Sequence, residues 1–120
     1  MRTIIAGTRT IKEYESVERA IRLSGFNITE VVSGTAIGVD RQGEIWAQKH
    51  DVPIKYFPAD WMHEGKRAGY IRNQQMAKYA DALIAVWDGK SKGTLHMIKI
   101  AKEEGLYTHV HIKGSLEELF

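Results

Sequence analysis

Short apolar runs alternate with longer amphipathic stretches along the chain. Most of the apolar runs are rich in Ile, Val and Ala and are followed by Gly, Pro or Asp, which is typical of buried strands. The stretches between them place apolar residues three or four positions apart among charged ones, and that spacing predicts helices. We predict strands at Thr3–Ala6, Glu30–Ser33, Ile54–Phe57, Ala82–Trp87 and Thr108–Ile112, and helices at Glu13–Leu23, Val39–Lys49, Ile71–Tyr79 and Thr94–Glu104.

Two segments lack a clear period. The longer one, Ala59–Gly69, separates the third strand from the third helix, and we expect it to be irregular. The other is the C-terminal tail, residues 113–120, which leaves room for a short helix at Ser115–Phe120. The large apolar residues inside the predicted elements should pack in the core, and these are Trp46, Met76, Trp87 and Met97.

The order of the elements predicts the fold class. Strands alternate with helices, which implies a parallel sheet with right-handed crossovers and helices on both faces. The strands are almost continuously apolar, as in a sheet that is covered on both sides. We therefore predict a single α/β domain over residues 1–120 with a Rossmann-like, five-stranded, mainly parallel sheet. Such sheets bind ligands at the carboxyl ends of their strands.

Composition narrows the class of protein. A chain of 120 residues is long enough for one hydrophobic core and so for one domain. Its formal charge of +2 is too small for a general nucleic-acid binder, and we therefore do not expect nucleic acid as a partner. The chain has no cysteine, which excludes disulfides and thiolate ligands and suits a reducing compartment. No apolar run is long enough for a signal peptide or a membrane span. We expect a soluble, cytoplasmic protein with no membrane partner.

Three loops with small and polar residues follow strands at the same edge of the predicted sheet. Two of them lead directly into helix N-termini, where backbone N–H groups and the helix dipole favour an anion. Each glycine by itself could serve only a tight turn, but three converging loops favour a phosphate or nucleotide site. None matches the dinucleotide fingerprint or the Walker pattern. The loops are Gly7–Arg9, Ser33–Gly38 and Asp88–Thr94.

Charged and aromatic residues near these loops extend the candidate site. Arg9 and Arg72 offer forked donors that suit phosphate, and Lys66 with Trp61 could hold a phosphate and stack a base. The alternative is a solvated basic stretch in which Trp61 only anchors a loop. Asp40 and Glu44 share one helix face and could bind ribose or act as acid and base. Alternatively, Asp40 complements the helix dipole and Glu44 is solvated.

The histidines do not predict a metal site. His109 and His111 lie on one face of an edge strand with no third ligand near them in sequence, so we predict a surface pair.

The full set of candidates follows from the three loops and the side chains near them. The catalytic candidates, if the site carries a reaction, are Arg72, Asp40 and Glu44. The ligand-binding candidates are Gly7, Thr8, Arg9, Ser33, Gly34, Thr35, Gly38, Asp40, Trp61, Lys66, Arg72, Asn73, Asp88, Ser91, Gly93 and Thr94.

Several segments, taken in order, resemble the SLOG superfamily, and within it the small stand-alone group called YspA-like or YAcAr. The resemblance implies the Rossmann-like fold, a nucleotide or nucleotide-derived ligand at the strand ends, and a homo-oligomer. The superfamily includes phosphoribohydrolases of the lonely-guy type, a DNA-uptake protein that loads recombinase on single strands, and sensor domains for NAD-derived signals in antiphage defence. The segments are Gly7–Arg9, Ser33–Asp40, Pro58–Trp61, Gly65–Asn73, Ala80–Ala85 and Gly93–Thr94.

One departure from the hydrolases bears on catalysis. Their Pro-Gly-Gly-x-Gly-Thr loop is followed three residues later by a catalytic glutamate, and here that position holds Met97 after Gly93 and Thr94. The matching arginine, Arg72, is present. A thioether can neither stabilise an oxocarbenium ion nor activate water, so only Asp88 or one of the two acidic catalytic candidates could replace the glutamate.

These observations predict a function and leave alternatives open. The first hypothesis is binding of a nucleotide or an NAD- or ADP-ribose-derived small molecule at the carboxyl edge of the sheet, by a sensor or sequestering module. The second is hydrolysis of a nucleotide N-glycosidic bond with a non-standard acid. Single-stranded DNA binding is third, because phosphate contacts need clustered cations. No cofactor is predicted beyond the nucleotide-derived ligand itself.

Overall fold

The computed structural model describes residues 1–113, and in it five parallel strands form one sheet in the order β3-β2-β1-β4-β5. The predicted α/β fold class is confirmed, and every neighbouring pair of strands is parallel. The strands are β1 (Arg2–Gly7), β2 (Glu30–Ser33), β3 (Ile54–Tyr56), β4 (Ala82–Trp87) and β5 (Tyr107–Ile112). The helices are α1 (Tyr14–Ser24), α2 (Val39–Lys49), α3 (Trp61–Glu64), α4 (Ala68–Tyr79) and α5 (Lys92–Glu103), with a 3₁₀ turn at Gly65–Arg67.

The sheet separates two hydrophobic cores. Successive residues of a strand point to opposite faces of a sheet, so neighbours in β1 enter different cores. Ile4 packs with Leu83 and Met76 on the face that α4 and α5 cover. Ile5 packs with Ile84 on the face that α1 and α2 cover. Burial on both faces explains why the strands are almost continuously apolar.

The segment Ala59–Gly69, expected to be irregular, is mostly helical. It contains α3, the 3₁₀ turn and the start of α4. The Asp60 carboxylate accepts the backbone N–H of His63 at 3.3 Å and so caps α3. No residue of α3 or of the turn is buried. Because α3 and the 3₁₀ turn bury no face, their apolar residues do not recur at helical spacing, and the sequence pattern does not predict them.

Other differences are smaller. The last helix, α5, begins at Lys92 rather than Thr94, because Ser91 caps it by accepting the backbone N–H of Thr94 at 3.4 Å. Met76 and Met97 are buried as expected, whereas Trp46 and Trp87 are half-buried at the margins of the two cores. The tail helix considered at Ser115–Phe120 lies outside the described residues.

The expected surface pair of histidines is also corrected. His111 is only 6% exposed and His109 is half-buried. Helix α1 packs against β5, and this contact helps to remove β5 from water. Burial lowers the pKa of His109, and the neighbouring His111 acts in the same direction.

Substitution of Gly43 tests how closely α2 approaches the sheet. A Cβ at Gly43 would lie 2.7 Å from Cγ2 of Ile5 and 2.8 Å from its Cβ. We expect Gly43→Ala to destabilise the fold by about 1–3 kcal/mol, because the added methyl group would overlap Ile5, which is fully buried in the core. Urea unfolding measures the change. Gly93→Ala in α5 is the control, because nothing lies within 4 Å of its Cβ position, and equal losses for both variants would contradict this packing.

Candidate functional site

A cleft opens at the carboxyl ends of β1 and β4. From β1, the chain adds β2 and then β3 on one side of the sheet. It then returns to add β4 and β5 on the other side of β1, so the order of the strands reverses direction between β1 and β4. Ligands of open α/β sheets bind at such a switch point. The pairing of Gly7 with Val86 brings both strand ends side by side. The cleft measures about 430 Å³, within the range of small-molecule sites.

Most of the predicted ligand-binding residues line this cleft. Glu44 does not, and neither do Ser33, Gly34, Thr35 and Gly38. The Ser33 hydroxyl donates to the Glu44 carboxylate at 2.6 Å, and the second oxygen of that carboxylate pairs with Arg41 at 3.2 Å. Ser33 and Glu44 therefore hold the turn between β2 and α2. The residues that line the cleft are Gly7, Thr8, Arg9, Asp40, Trp61, Lys66, Arg72, Asn73, Asp88, Ser91, Gly93 and Thr94.

The cleft also contains residues that the sequence reasoning missed. Tyr70 is 45% exposed, and its ring meets that of His96 edge-on at 4.4 Å between centroids. Gly69, Asn73 and Met76 follow one another at helical spacing on the face of α4 that borders the cleft. The predicted helix begins at Ile71, whereas α4 begins at Ala68. A prediction with the earlier start would have placed Gly69 on the same helix face as Asn73 and Met76. The missed residues are Ala6, Thr10, Ala36, Gly69, Tyr70, Met76 and Met97.

Arg72 is a half-buried cation in the wall of the cleft. Its Nε donates to Oδ1 of Asn73 at 3.1 Å, and its Nη1 donates to the Gly34 carbonyl. A Cβ at Gly34 would lie 2.8 Å from Arg72 Nη1 and 2.9 Å from Asp40 Oδ2, so a side chain there would push both groups from their present positions. Burial lowers the pKa of Arg72, and the charge of Asp40 partly offsets this. Across residues 1–113 no carboxylate lies within ion-pair distance of Arg72.

Asp40 is the buried acid of the site. It lies in the first turn of α2 and is 4% exposed. Its Oδ2 accepts the backbone N–H of Ala36 at 3.2 Å. Burial raises the pKa of Asp40 to about 6, although this hydrogen bond and the charge of Arg72 act to lower it. A carboxyl group that titrates near neutral pH can exchange a proton inside the cleft.

The loop before α5 uses its own polar groups to hold its shape. Oδ1 of Asp88 accepts the backbone N–H groups of Lys90 and Ser91, both at 2.8 Å, and these bonds lower the pKa of Asp88. The Asp88 N–H donates to the Thr8 hydroxyl at 3.1 Å and so joins the loop to the end of β1. The first turn of α5, with Gly93 at the cleft, therefore offers its positive dipole end to a ligand.

Asn73 connects α4 to α5 and orients Arg72. It is 6% exposed, and its Nδ2 donates to the Gly93 carbonyl at 3.3 Å and lies 3.2 Å from Nδ1 of His96. Because that amide nitrogen is a donor, Nδ1 of His96 is assigned as an acceptor. Burial lowers the pKa of His96, which favours this neutral ring. Asn73 thus acts through its neighbours rather than as a free ligand donor.

Cations and aromatic rings surround an apolar floor. Trp61 is 49% exposed, and Cζ of Arg9 lies 5.8 Å from the centroid of its ring. Lys66 lies at the same rim, and neither Arg9 nor Lys66 pairs with a carboxylate in the described part of the chain. The floor includes Met76 and Met97, each 1% exposed. The arrangement suits an anion joined to a flat ring.

Residues 1–113 contain neither a metal-binding cluster nor a membrane-spanning helix. No group of three His, Cys, Asp or Glu side chains there is placed to hold a metal ion. Every helix in that range is too short or too polar to cross a bilayer.

The fold and the cleft define a Rossmann-like α/β protein with a candidate ligand site at the switch point of its sheet. The sequence matches no protein-family model. It is similar to the Gene 61 protein of Mycobacterium phage D29, with 30% identity over 115 residues that cover 88% of this chain and 91% of the phage protein. The chain therefore belongs to the same family as that Gene 61 protein.

The raised pKa of Asp40 predicts a pH dependence of stability. Because the pKa of this carboxyl in the folded protein, about 6, exceeds its value of about 3.9 in an unfolded chain, ionisation of Asp40 opposes folding. The protonated Asp40 carboxyl stabilises the fold at low pH, and this stabilisation is lost as the pH rises through about 6. Asp40→Asn cannot ionise and does not lose it. Between the unfolded and the folded pKa, we therefore expect the free energy of unfolding of Asp40→Asn, relative to that of the native chain, to rise by about 3 kcal/mol.

Urea unfolding at a series of pH values measures this difference. Asp51→Asn, at an exposed position, is the matched control and should show no comparable trend. A relative stability of Asp40→Asn that does not change between pH 4 and pH 7 would contradict the assignment of Asp40 as a carboxyl group titrating near pH 6.

Proposed function

We propose that this cleft binds a nucleotide or an NAD- or ADP-ribose-derived small molecule, as the site of a sensor or sequestering module. The observation that carries the proposal is Arg72. It is a half-buried guanidinium that faces the cleft with no carboxylate at ion-pair distance among residues 1–113. A charge removed from water needs a counter-charge, and the forked donors of arginine match the oxygens of a phosphate.

The remaining walls support a ligand with a ring as well as a phosphate. Trp61 and Tyr70 expose aromatic surface at the rim, and stacking on such rings is favourable for every nucleobase. Arg9 and Lys66 add positive charge near the rim, and the first turn of α5 adds the positive end of its dipole. This set of groups favours a nucleotide as the ligand over an uncharged metabolite.

We also propose that the chain, and with it the family of the Gene 61 protein, is part of the SLOG superfamily. The segments of the chain that resemble this superfamily support the proposal, because several of them border one cleft although they lie far apart in sequence. They contribute Gly7, Asp40, Arg72 and Gly93 to the lining of the cleft. Met97 occupies the floor at the position where the hydrolases of that superfamily carry glutamate. Recognition without chemistry is therefore the function that the cleft supports best.

Calorimetric titration of the full chain with AMP, ADP-ribose and NAD tests this proposal. At least one of them should bind, and Arg72→Gln should weaken binding by on the order of tenfold to a hundredfold, as expected for a lost charge-assisted hydrogen bond. Arg67→Gln is the control, because Arg67 is exposed and lies outside the cleft lining. If none of the three binds, or if both variants lose affinity equally, the proposal fails.

One observation favours a second candidate, hydrolysis of a nucleotide N-glycosidic bond. Asp40 lines the cleft, shares the Gly34 contact with Arg72, and has a pKa of about 6, which suits a general acid. In this case nucleoside monophosphates incubated with the protein should release free base, seen by chromatography. Asp40→Asn should abolish the release while ligand still binds. Recovery of every bound nucleotide intact would exclude this candidate for the substrates tried.

A further inference from the structure

A second cavity lies beside the cleft at the same edge of the sheet. It measures about 550 Å³ and is formed by the loop after β1, the loop between β2 and α2, the first turns of α2 and the end of β3. Ala36 lines both cavities, so the second begins where the cleft ends. Thr35 and Gly38, which lie outside the cleft, line this second cavity.

The second cavity, like the cleft, combines cations with an exposed aromatic ring. Tyr56 is 50% exposed and Ile37 is 63% exposed, so an aromatic ring and an aliphatic side chain face solvent there. Lys12 and Arg41 supply cations. Arg41 shares its charge with Glu44, whereas Lys12 has no carboxylate partner within residues 1–113. A cation beside an exposed ring is again a pairing that suits a phosphate and a base.

The backbone fixes the two cavities relative to each other. The loop after β1 touches the loop between β2 and α2 so closely that a Cβ at Gly38 would lie 2.4 Å from the carbonyl oxygen of Arg9. Arg9 lines the cleft and Lys12 lines the second cavity, so the two cavities that meet at Ala36 each have a cation. A ligand that extends across Ala36 would find both halves of its site already placed, which lowers the entropic cost of binding.

We infer that the two cavities form one two-lobed site for a dinucleotide-type ligand, in which two ring systems are joined by a phosphate-containing bridge. The inference rests on the proposed function. One ring occupies the cleft beside Trp61 and Tyr70, the other lies on Tyr56, and the bridge crosses at Ala36 between the cations. A mononucleotide fills the cleft alone and leaves the second cavity to water.

Calorimetry with AMP and NAD on the full chain tests this inference. The double variant Lys12→Gln/Tyr56→Ala removes one cation and one ring of the second cavity, both from exposed positions. It should weaken NAD binding by at least about tenfold, as expected when a stacking ring and a cation are lost together, and leave AMP affinity unchanged. Lys99→Gln/Tyr107→Ala, the same exposed residue types outside both cavities, should change neither affinity.

The outcomes separate this inference from the proposed function. If AMP binds and requires Arg72, but the double variant binds NAD as tightly as the native chain, the two-lobed site is wrong and the nucleotide cleft stands. Equal losses for AMP and NAD, or native affinity for NAD no higher than for AMP, also overturn the two lobes. If neither AMP nor NAD binds, the two-lobed site is wrong, and the proposed function fails with it only when ADP-ribose does not bind either.

Discussion

The site depends on the close approach of Arg72 and Asp40 to Gly34. Arg72 belongs to α4, which packs on one face of the sheet, and Asp40 belongs to α2, which packs on the other. Their side chains come together beyond the carboxyl end of β2, where the absence of a Cβ leaves room for both. A side chain at Gly34 would have to displace the ends of both, so the relative position of the two charges depends on this glycine.

Burial perturbs both groups in opposite directions. It lowers the pKa of Arg72 and raises that of Asp40, because each charge has lost part of its hydration. The charge of each group favours the charged form of the other and so offsets part of the pKa shift that burial causes. The guanidinium is held by Asn73 and the Gly34 carbonyl, which are neutral acceptors, so its positive charge has a fixed orientation in the cleft.

Polar residues at the cleft divide into those that hold its shape and those that are available to the proposed ligand. Asp88, Ser91 and Asn73 form hydrogen bonds within the protein that hold the α5 loop, β1 and α4 in register. The groups left to meet a ligand are cations, exposed rings, an apolar floor and a helix end. The similarity to the Gene 61 protein extends over 88% of the chain and is therefore not confined to one motif.

Local patterns in the sequence determined the strands, most helices and the loops at the strand ends. The bounds of β2, α2 and β4 agree with prediction to the residue, because apolar runs and helical spacing are local properties. Only the tertiary structure decided which loop residues line the cleft and that Tyr70 joins them. It also showed the contact between Gly34 and Arg72, residues separated by 38 positions, and α3, which buries no face. Burial and hydrogen-bond partners depend on how distant segments pack, and no local pattern encodes that packing.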